Sequence, residues 1–237
     1  MNTSTAAPRI RHQGPPLGLL AVIFVVLFLA GLLPVTIFGG KPHFPGPWET
    51  PAIIVAFFQA RPGAVESASF FHFGAAIVLG LFTACVVNQM RFLGVRAAGV
   101  NIALFGGLAA SFGMFVSAFS LWTLARHAIA QDALLTQALY YFGYAFGGPG
   151  YAVPIGLLMA GISIPAGFLR LLPKWVVVLG IALGVCGELS WLTLLLPKAL
   201  FLIPLTRFSG FIWMIAAGFL LPHTVVTGKS RTASDIA

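Results

Sequence analysis

Six long apolar runs constrain this chain more than any other feature of its sequence. The runs occupy residues 17–38, 64–90, 99–124, 151–171, 175–196 and 207–226. Each run reaches the roughly 20 residues that an α-helix needs to cross a bilayer. Backbone polar groups in hydrocarbon must be bonded within the protein, and a single apolar run achieves this as a helix. The sequence therefore predicts an all-α polytopic membrane protein, a bundle of six transmembrane helices.

Charged residues are too scarce for a soluble domain beside the predicted bundle. They make up 8% of the 237 residues, against about 25% in soluble proteins. We therefore expect a single transmembrane domain over residues 15–227. The polar ends of the chain, residues 1–14 and 228–237, are predicted to form a disordered N-terminus and a short tail.

Two long segments between the runs each predict a short helix in the membrane interface. In residues 39–62, Thr50-Pro51 has the form of a helix start and is followed by the apolar stretch 52–60. In residues 125–150, a second short helix carries tyrosines and phenylalanines typical of an aromatic belt. We expect both helices in loops on the outer side of the membrane.

Basic residues lie at the ends of the apolar runs and do not cluster in one patch. The net charge is +8, yet no basic surface of the kind that binds nucleic acid is present. With six spans both termini share one side, and that side holds eight of the 13 Lys and Arg residues. The positive-inside rule then predicts cytoplasmic termini in a bacterial inner membrane, with membrane lipids as partners.

Small residues at helical spacing predict where the bundle packs most closely. Two helices approach each other at such faces because no large side chain holds them apart. The third run carries a stripe made of Gly99, Ala103, Gly106, Ala110 and Gly113. The fifth run carries a face made of Gly180, Gly184 and Gly187. The first run has no such pattern and is expected to face lipid.

Glu188 is the one acid that we place at membrane depth, at the edge of the glycine face of the fifth run. A carboxyl group in hydrocarbon costs several kcal/mol unless it is neutral, paired or hydrated, so such residues are usually functional. One interpretation is a carboxyl group that carries protons or binds a ligand. The other is a protonated side chain that bonds a neighbouring helix as part of the packing.

A cavity open to the outer side would bring together chemistry-bearing residues of different runs. It would be lined by Glu188, His72, Arg126, His127 and Arg207. The two arginines would bind an anionic headgroup or a carboxylate there. The alternatives are interface histidines bonded to backbone or water, and arginines that snorkel to the membrane surface.

The sequence carries no motif for a metal, a cofactor or a covalent nucleophile. The histidines do not pair at two depths as two bound haems require, and no His, Asp or Glu cluster has metal-ligand spacing. A Gly-x-Ser-x-Gly motif and a phosphate-binding loop are also missing. Cys85 and Cys186 fall inside runs, as small apolar side chains do. We therefore expect neither a cofactor nor a metal.

Three segments have a pattern typical of bacterial membrane proteins. They are Phe57-Phe58-Gln59-Ala60-Arg61-Pro62-Gly63, Phe71-His72-Phe73-Gly74-Ala75-Ala76 and Arg91-Phe92-Leu93-Gly94-Val95-Arg96-Ala97-Ala98-Gly99. Through them the chain resembles six-span bacterial membrane proteins of unknown function over most of its length. Because no activity is assigned to such proteins, the resemblance implies a multi-pass membrane protein and no site residues.

The sequence supports three functional hypotheses. The first is binding or transport of a small apolar or amphipathic molecule, linked to protons through Glu188. The second is an intramembrane enzyme for a lipid-like substrate with Glu188 or a histidine as base, and the missing nucleophile or metal set counts against it. The third is a structural or assembly subunit, or a homo-oligomer, whose partner packs on the stripe of the third run.

Overall fold

The computed structural model describes residues 9–38 and 40–226, and most of these residues are helical. In chain order the helices are α1 (Leu17–Val35), α2 (Pro51–Ala60), α3 (Pro62–Phe92), α4 (Ala98–Leu124), α5 (His127–Ala130), α6 (Ala133–Gly147), α7 (Pro149–Phe168), α8 (Lys174–Leu189) and α9 (Leu202–Leu220). Within the described residues, six helical segments are long and apolar enough to cross a membrane. The predicted all-α polytopic bundle is confirmed, with α2 and α6 as the helices of the two long segments.

The long helices α1, α3, α4, α7, α8 and α9 form a closed ring in chain order. Each of them packs against the next, and α9 returns to pack against α1. One core of buried side chains fills the ring, and Met159, Trp213 and Met214 within it are fully shut off from solvent. The ring therefore has an inner face to which every span contributes.

The expectation that the first span faces lipid is wrong for one side of α1. Leu17, Ala21, Phe24 and Phe28 are buried along this side at helical spacing. They lie in the core because α1 packs between α3 and α9. The sequence does not show which side of α1 faces the core, because lipid and the interior of a membrane bundle are equally apolar.

The fifth span, Lys174–Leu194, agrees closely with the predicted 175–196 but changes its helix type, and the sixth span differs from its predicted bounds. The α-helix of α8 ends at Leu189 and is followed by 3₁₀ turns at Ser190–Leu194 and Pro197–Phe201. The last helix already begins at Leu202, ahead of the predicted start at 207. Pro204 lies in its first turn, where proline has no intrahelical hydrogen bond to remove.

The two ends of the described chain pair with each other. Strand β1 (Arg9–Arg11) runs antiparallel to strand β2 (Thr224–Val226). The predicted disorder over residues 1–14 is therefore corrected for β1, and the sixth span stops at Leu220 instead of reaching 226. Residues 1–8 and 228–237 of the two predicted termini lie outside the described residues.

The small-residue stripe of α4 lies against α7. A Cβ atom added at Gly99 would come within 2.9 Å of the Gly161 carbonyl oxygen, and one at Gly106 within 2.8 Å of the Leu158 nitrogen. The stripe continues through the buried residues Ala103, Ala110 and Gly113. Because the chain itself covers this stripe, it is not a free surface on which a partner subunit packs, as the third hypothesis required.

The glycine face of α8 packs on the other side of α7. A Cβ atom added at Gly184 would lie 2.7 Å from the Ala160 Cβ. Gly180 and Gly187 are buried on the same face. Helix α7 is thus held at close range between α4 and α8, through residues that have almost no side chain.

A second apolar cluster, which we call the cap, covers one end of the ring. Helices α2, α5 and α6 form it over the ends of α1, α3 and α4. Ile54, Phe57 and Phe58 of α2 are fully buried in it. The Gln59 side chain donates a hydrogen bond to the Ala130 carbonyl at 2.9 Å and so ties α2 to α5.

Candidate functional site

Beneath the cap, α1, α3, α4, α6 and α9 enclose a cavity of about 180 Å³, which we call the Arg207 cavity. The apolar part of its wall includes Phe28, Leu32, Val35, Met114, Leu121 and Ile203. The polar part comprises His72, Ser117, Ser120, Tyr140, Tyr144 and Arg207. A mostly apolar wall with a few converging polar groups is typical of a small-molecule site.

Arg207 is the only residue of the cavity wall with a fixed charge, and few of the N–H groups of its guanidinium have hydrogen-bond partners. Its Nη2 donates a hydrogen bond to the Gly147 carbonyl. Its Nε is buried and has no hydrogen-bond partner among the described residues. The Cζ atom lies 5.3 Å from the ring centre of Phe28 and 5.0 Å from that of Tyr151, so two aromatic faces supply cation–π contacts.

No carboxylate of the described residues accompanies Arg207. The ion pairs found within residues 9–38 and 40–226 join His43 to Glu49 and Arg126 to Glu66. A buried cation without a counter-ion costs several kcal/mol in desolvation. Arg207 is half-buried with a buried Nε, so its charge lies in the cavity without a counter-ion among the described residues.

The position of Arg207 follows from how two helices end and begin. Gly147 is the last residue of α6, and carbonyl groups at a helix C-terminus have no partner within the helix. They also carry the partial negative charge of the helix dipole, which attracts a cation. Arg207 lies in the second turn of α9 and reaches this carbonyl, which orients one edge of its guanidinium.

His72 of α3 is held beside Arg207 through a shared aromatic ring. The His72 and Phe28 ring centres are 4.8 Å apart at an interplanar angle of 31°. Gly31 leaves the space for the imidazole, because a Cβ atom there would lie 2.7 Å from His72 Cδ2. The Nε2 atom of His72 is buried and has no hydrogen-bond partner among the described residues. The cavity wall thus holds two buried nitrogen atoms without hydrogen-bond partners among the described residues, both on side chains that contact Phe28.

The roof of the Arg207 cavity is formed by Phe44 and Tyr140. The Tyr140 hydroxyl donates to the Pro45 carbonyl at 2.7 Å, which joins α6 to the segment between α1 and α2. The Phe44 ring meets the buried Phe57 ring edge-on at 5.2 Å. These contacts attach the roof to the cap.

Glu49 closes the turn that carries Phe44. His43 Nε2 and Glu49 Oε1 are 2.7 Å apart, and the Gly46 N–H donates to Glu49 Oε2 at 3.0 Å. The hydrogen bond with His43 lowers the pKa of the Glu49 carboxyl group below its ordinary value, and the Gly46 N–H adds to this effect. The folded turn therefore favours the carboxylate form.

Acid is expected to loosen this turn. Since the folded pKa of Glu49 is lowered, its contribution is present above the ordinary pKa of 4.5 and is lost as the pH falls through the lowered value. We predict faster amide hydrogen exchange at Gly46 below about pH 4.5, after correction for the intrinsic exchange rate. Glu49→Gln should exchange quickly at pH 7 and show no further acid step. Equal protection of wild-type Gly46 at pH 3 and pH 7 would contradict this assignment.

Two of the five predicted site residues, Arg126 and His127, lie outside the Arg207 cavity. Arg126 pairs with Glu66 of α3 and stacks over the Trp122 ring, with its Cζ 4.7 Å from the ring centre. Its side chain is 40% exposed, so this pair lies on the outside of the bundle. His127 is exposed at the start of α5. Both belong to the rim of the cap and neither faces the cavity.

Glu188 also lies away from the cavity. It occupies the last turn of α8, which contributes no residue to the cavity wall. Its side chain is half-buried, and Oε1 has no hydrogen-bond partner among the described residues. The α-helix passes into a 3₁₀ turn one residue after Glu188, and the helical segment continues to Leu194, so the position of Glu188 at membrane depth stays a prediction. The structure therefore brings together His72 and Arg207 and separates the other three residues from them.

Phe28 is the residue of this site that the sequence analysis missed. It contacts both His72 and Arg207, and its ring also packs edge-on against Phe211 at 5.1 Å. Nothing distinguishes it from the other apolar residues of α1, since its neighbours along the chain are also large and apolar. The only signal in α1 is Gly31, one turn further along, which makes room for His72.

Comparison of this chain with protein-family models, with curated proteins and with solved structures finds no match.

Proposed function

We propose that this protein binds a small amphipathic molecule with an anionic group in the Arg207 cavity, as a binding or transport protein. The observation that carries the proposal is the guanidinium of Arg207, which is enclosed in an apolar cavity with no carboxylate of the described residues beside it. Such a site gains most from a ligand that brings its own negative charge.

The geometry supports a definite orientation of the ligand. Its carboxylate or phosphate would accept hydrogen bonds from Arg207, and its apolar part would lie against Leu32, Val35 and Leu121. The cavity volume of about 180 Å³ is below the roughly 300–1,000 Å³ of pockets for drug-sized ligands. A short amphipathic anion, or a headgroup with part of its chain, therefore fits better than a whole phospholipid.

Location and orientation are part of this proposal. The resemblance to bacterial six-span proteins supports a bacterial inner membrane, and the excess of basic residues on the side of the termini supports cytoplasmic ends. The pairing of β1 with β2 supports a shared side for both ends. The cap and the mouth of the cavity would then face outward.

Proton coupling through Glu188 and enzymatic activity have less support than ligand binding. Proton coupling through Glu188 would have to act from outside the cavity, because α8 does not contribute to its wall. An enzyme would use His72 as a base and needs a nucleophile beside it. Of the wall hydroxyls, Ser120 already donates to the Leu139 carbonyl at 2.6 Å. Binding without catalysis is therefore the function that we favour.

Octanoate and its methyl ester form a matched pair of probes for this function. They share an apolar chain and differ in charge, so their affinities isolate the contribution of Arg207. Hydrogen bonds to a charged group contribute about 1.5–3 kcal/mol, so wild type should prefer octanoate by about 10- to 100-fold. Arg207→Gln should lose the preference and keep its affinity for the ester. Isothermal titration in detergent measures both, and equal wild-type affinities for the two probes would refute the proposal.

A further inference from the structure

A groove lies at the turn between α7 and α8, at the end of α7 remote from the Arg207 cavity. It encloses about 780 Å³ on the outside of the helix pair. Ile164 and Phe168 form one wall, Val178 and Ile181 form the other, and Arg170 and Lys174 also line it. The groove thus combines an apolar trough with two cations contributed by the turn.

The trough is exposed to the surroundings of the bundle. Phe168 is 85% exposed, Val178 is 65% exposed and Ile164 is 44% exposed. All three belong to helices that are long and apolar enough to span a membrane, where the surrounding solvent is lipid. The occupant of such a trough is therefore an acyl chain, since no other abundant apolar molecule surrounds a membrane-spanning helix.

The two cations have no partners of their own. Arg170 and Lys174 are exposed, and within residues 9–38 and 40–226 neither side chain makes an ion pair or a hydrogen bond. None of the residues that line the groove is acidic. Lys174 is also the first residue of α8, whose N-terminus carries partial positive charge and no side-chain cap. The charge at the mouth of the groove is complementary to a phosphate group.

Arg170 occupies a backbone conformation that favours glycine. Its φ angle is 53°, and it is the only non-glycine residue with positive φ in the part of the chain that the structure describes. The Leu171 N–H donates to the Ala166 carbonyl at 2.8 Å, which completes a helix end of the type that usually carries glycine. An arginine at this position strains the backbone, whereas a glycine would not. The arginine, however, places a positively charged side chain at the groove, which a glycine cannot do.

We propose that this groove binds an anionic phospholipid. The phosphate group lies between the Arg170 guanidinium and the Lys174 ammonium, next to the start of α8. One acyl chain lies in the trough along Phe168 and Val178. The site is separate from the Arg207 cavity and does not depend on the function proposed for it.

Native mass spectrometry of the purified full chain tests this site, with phosphatidylglycerol and phosphatidylcholine of identical acyl chains as probes. Both lipids carry a phosphate group, but the choline ammonium cancels its charge in phosphatidylcholine. Each cation near a net anionic headgroup contributes about five-fold in affinity, so wild type should prefer phosphatidylglycerol by about 25-fold. Arg170→Gly and Lys174→Gln should each lower the preference about five-fold. Arg96→Gln, which removes an exposed charge at the turn between α3 and α4, is the matched control and should leave it unchanged.

Arg170→Gly also separates lipid binding from folding. Glycine adopts positive φ without strain, so this variant should keep or raise the thermal unfolding midpoint while it loses lipid. Equal retention of the two lipids by wild type would overturn the proposal. So would an equal loss in Arg96→Gln, which would indicate a general effect of charge, or displacement of the lipid by inorganic phosphate, which would indicate a site for a free anion.

Discussion

Replacing Arg207 with methionine is expected to raise the thermal unfolding midpoint of the ligand-free protein and to abolish its stabilisation by octanoate. Methionine fills a similar volume and removes a buried charge that has no counter-ion among the described residues. Several kcal/mol of desolvation are regained. The variant loses about 1–3 kcal/mol where the Gly147 carbonyl is left without a donor and about 0.5–2 kcal/mol for each cation–π contact, with Phe28 and with Tyr151. We expect a small net gain in the free energy of unfolding.

Opposite changes in stability and in binding are what mark Arg207 as a binding residue. An arginine that merely packs would lower the midpoint when replaced, and octanoate would still stabilise the variant. Arg126→Met is the matched control, because Arg126 has a carboxylate partner in Glu66 and lies on the outside of the bundle. It should change the midpoint little and leave stabilisation by octanoate intact. A lower midpoint for Arg207→Met would contradict our interpretation.

Gly106→Ala is expected to destabilise the bundle by about 2 kcal/mol. The new Cβ atom would lie 2.7 Å from the Leu157 Cβ and 2.8 Å from the Leu158 nitrogen, so α4 and α7 have to move apart. Overpacking of this kind costs about 1–3 kcal/mol, because backbone atoms cannot rotate away. In a membrane the loss is not offset by new apolar burial, since lipid already solvates the separated helices.

Gly74→Ala provides the control for Gly106→Ala with the same substitution in another long helix. A Cβ atom at Gly74 would meet Leu27 Cδ1 at 3.6 Å, which is an ordinary contact. The control should therefore gain about 0.5–1 kcal/mol from the better helix propensity of alanine. Unfolding midpoints of the two variants in the same detergent give the comparison. Similar midpoints would mean that the close approach of α4 and α7 does not limit the stability of the bundle.

The six membrane-spanning helices could be predicted from the sequence, whereas their arrangement could not. Each apolar run is long enough to span the membrane, and that length alone identifies it. The ring order depends on which small-residue face meets which partner. Any helix could pack closely on the face of Gly180 and Gly184, so the sequence does not identify its neighbour. The structure shows that this neighbour is α7.

The placement of Arg207 depends on where the last helix begins. The sequence predicts a short apolar connection over 197–206, which puts Arg207 near the outer end of its span, where it could snorkel. The helix begins at Leu202, so Arg207 lies inside the bundle. Glu188 lies where α8 passes into the 3₁₀ turn of the same helical segment, and no residue of α8 lines the cavity. Boundaries are set by tertiary contacts that a single sequence does not contain.

The contacts of Arg207 with Phe28 and Gly147 were beyond the sequence for a further reason. They join α1, the end of α6 and α9, which are far apart along the chain. Phe28 belongs to a run in which nearly every residue is large and apolar, so no pattern distinguishes its inner face. Gly147 acts through its carbonyl group, which every residue has.

The most direct test of ligand binding in the Arg207 cavity is photolabelling of the full chain in lipid nanodiscs with a diazirine-bearing octanoate. We predict modified residues on the cavity wall, at Phe28, Met114 and Tyr144, and loss of this labelling with excess octanoate or in Arg207→Gln. Methyl octanoate in the same excess should not compete. Labels confined to the exposed surface of α8, at Val178 and Val185, would show that the probe dissolves in lipid and would contradict the proposed site.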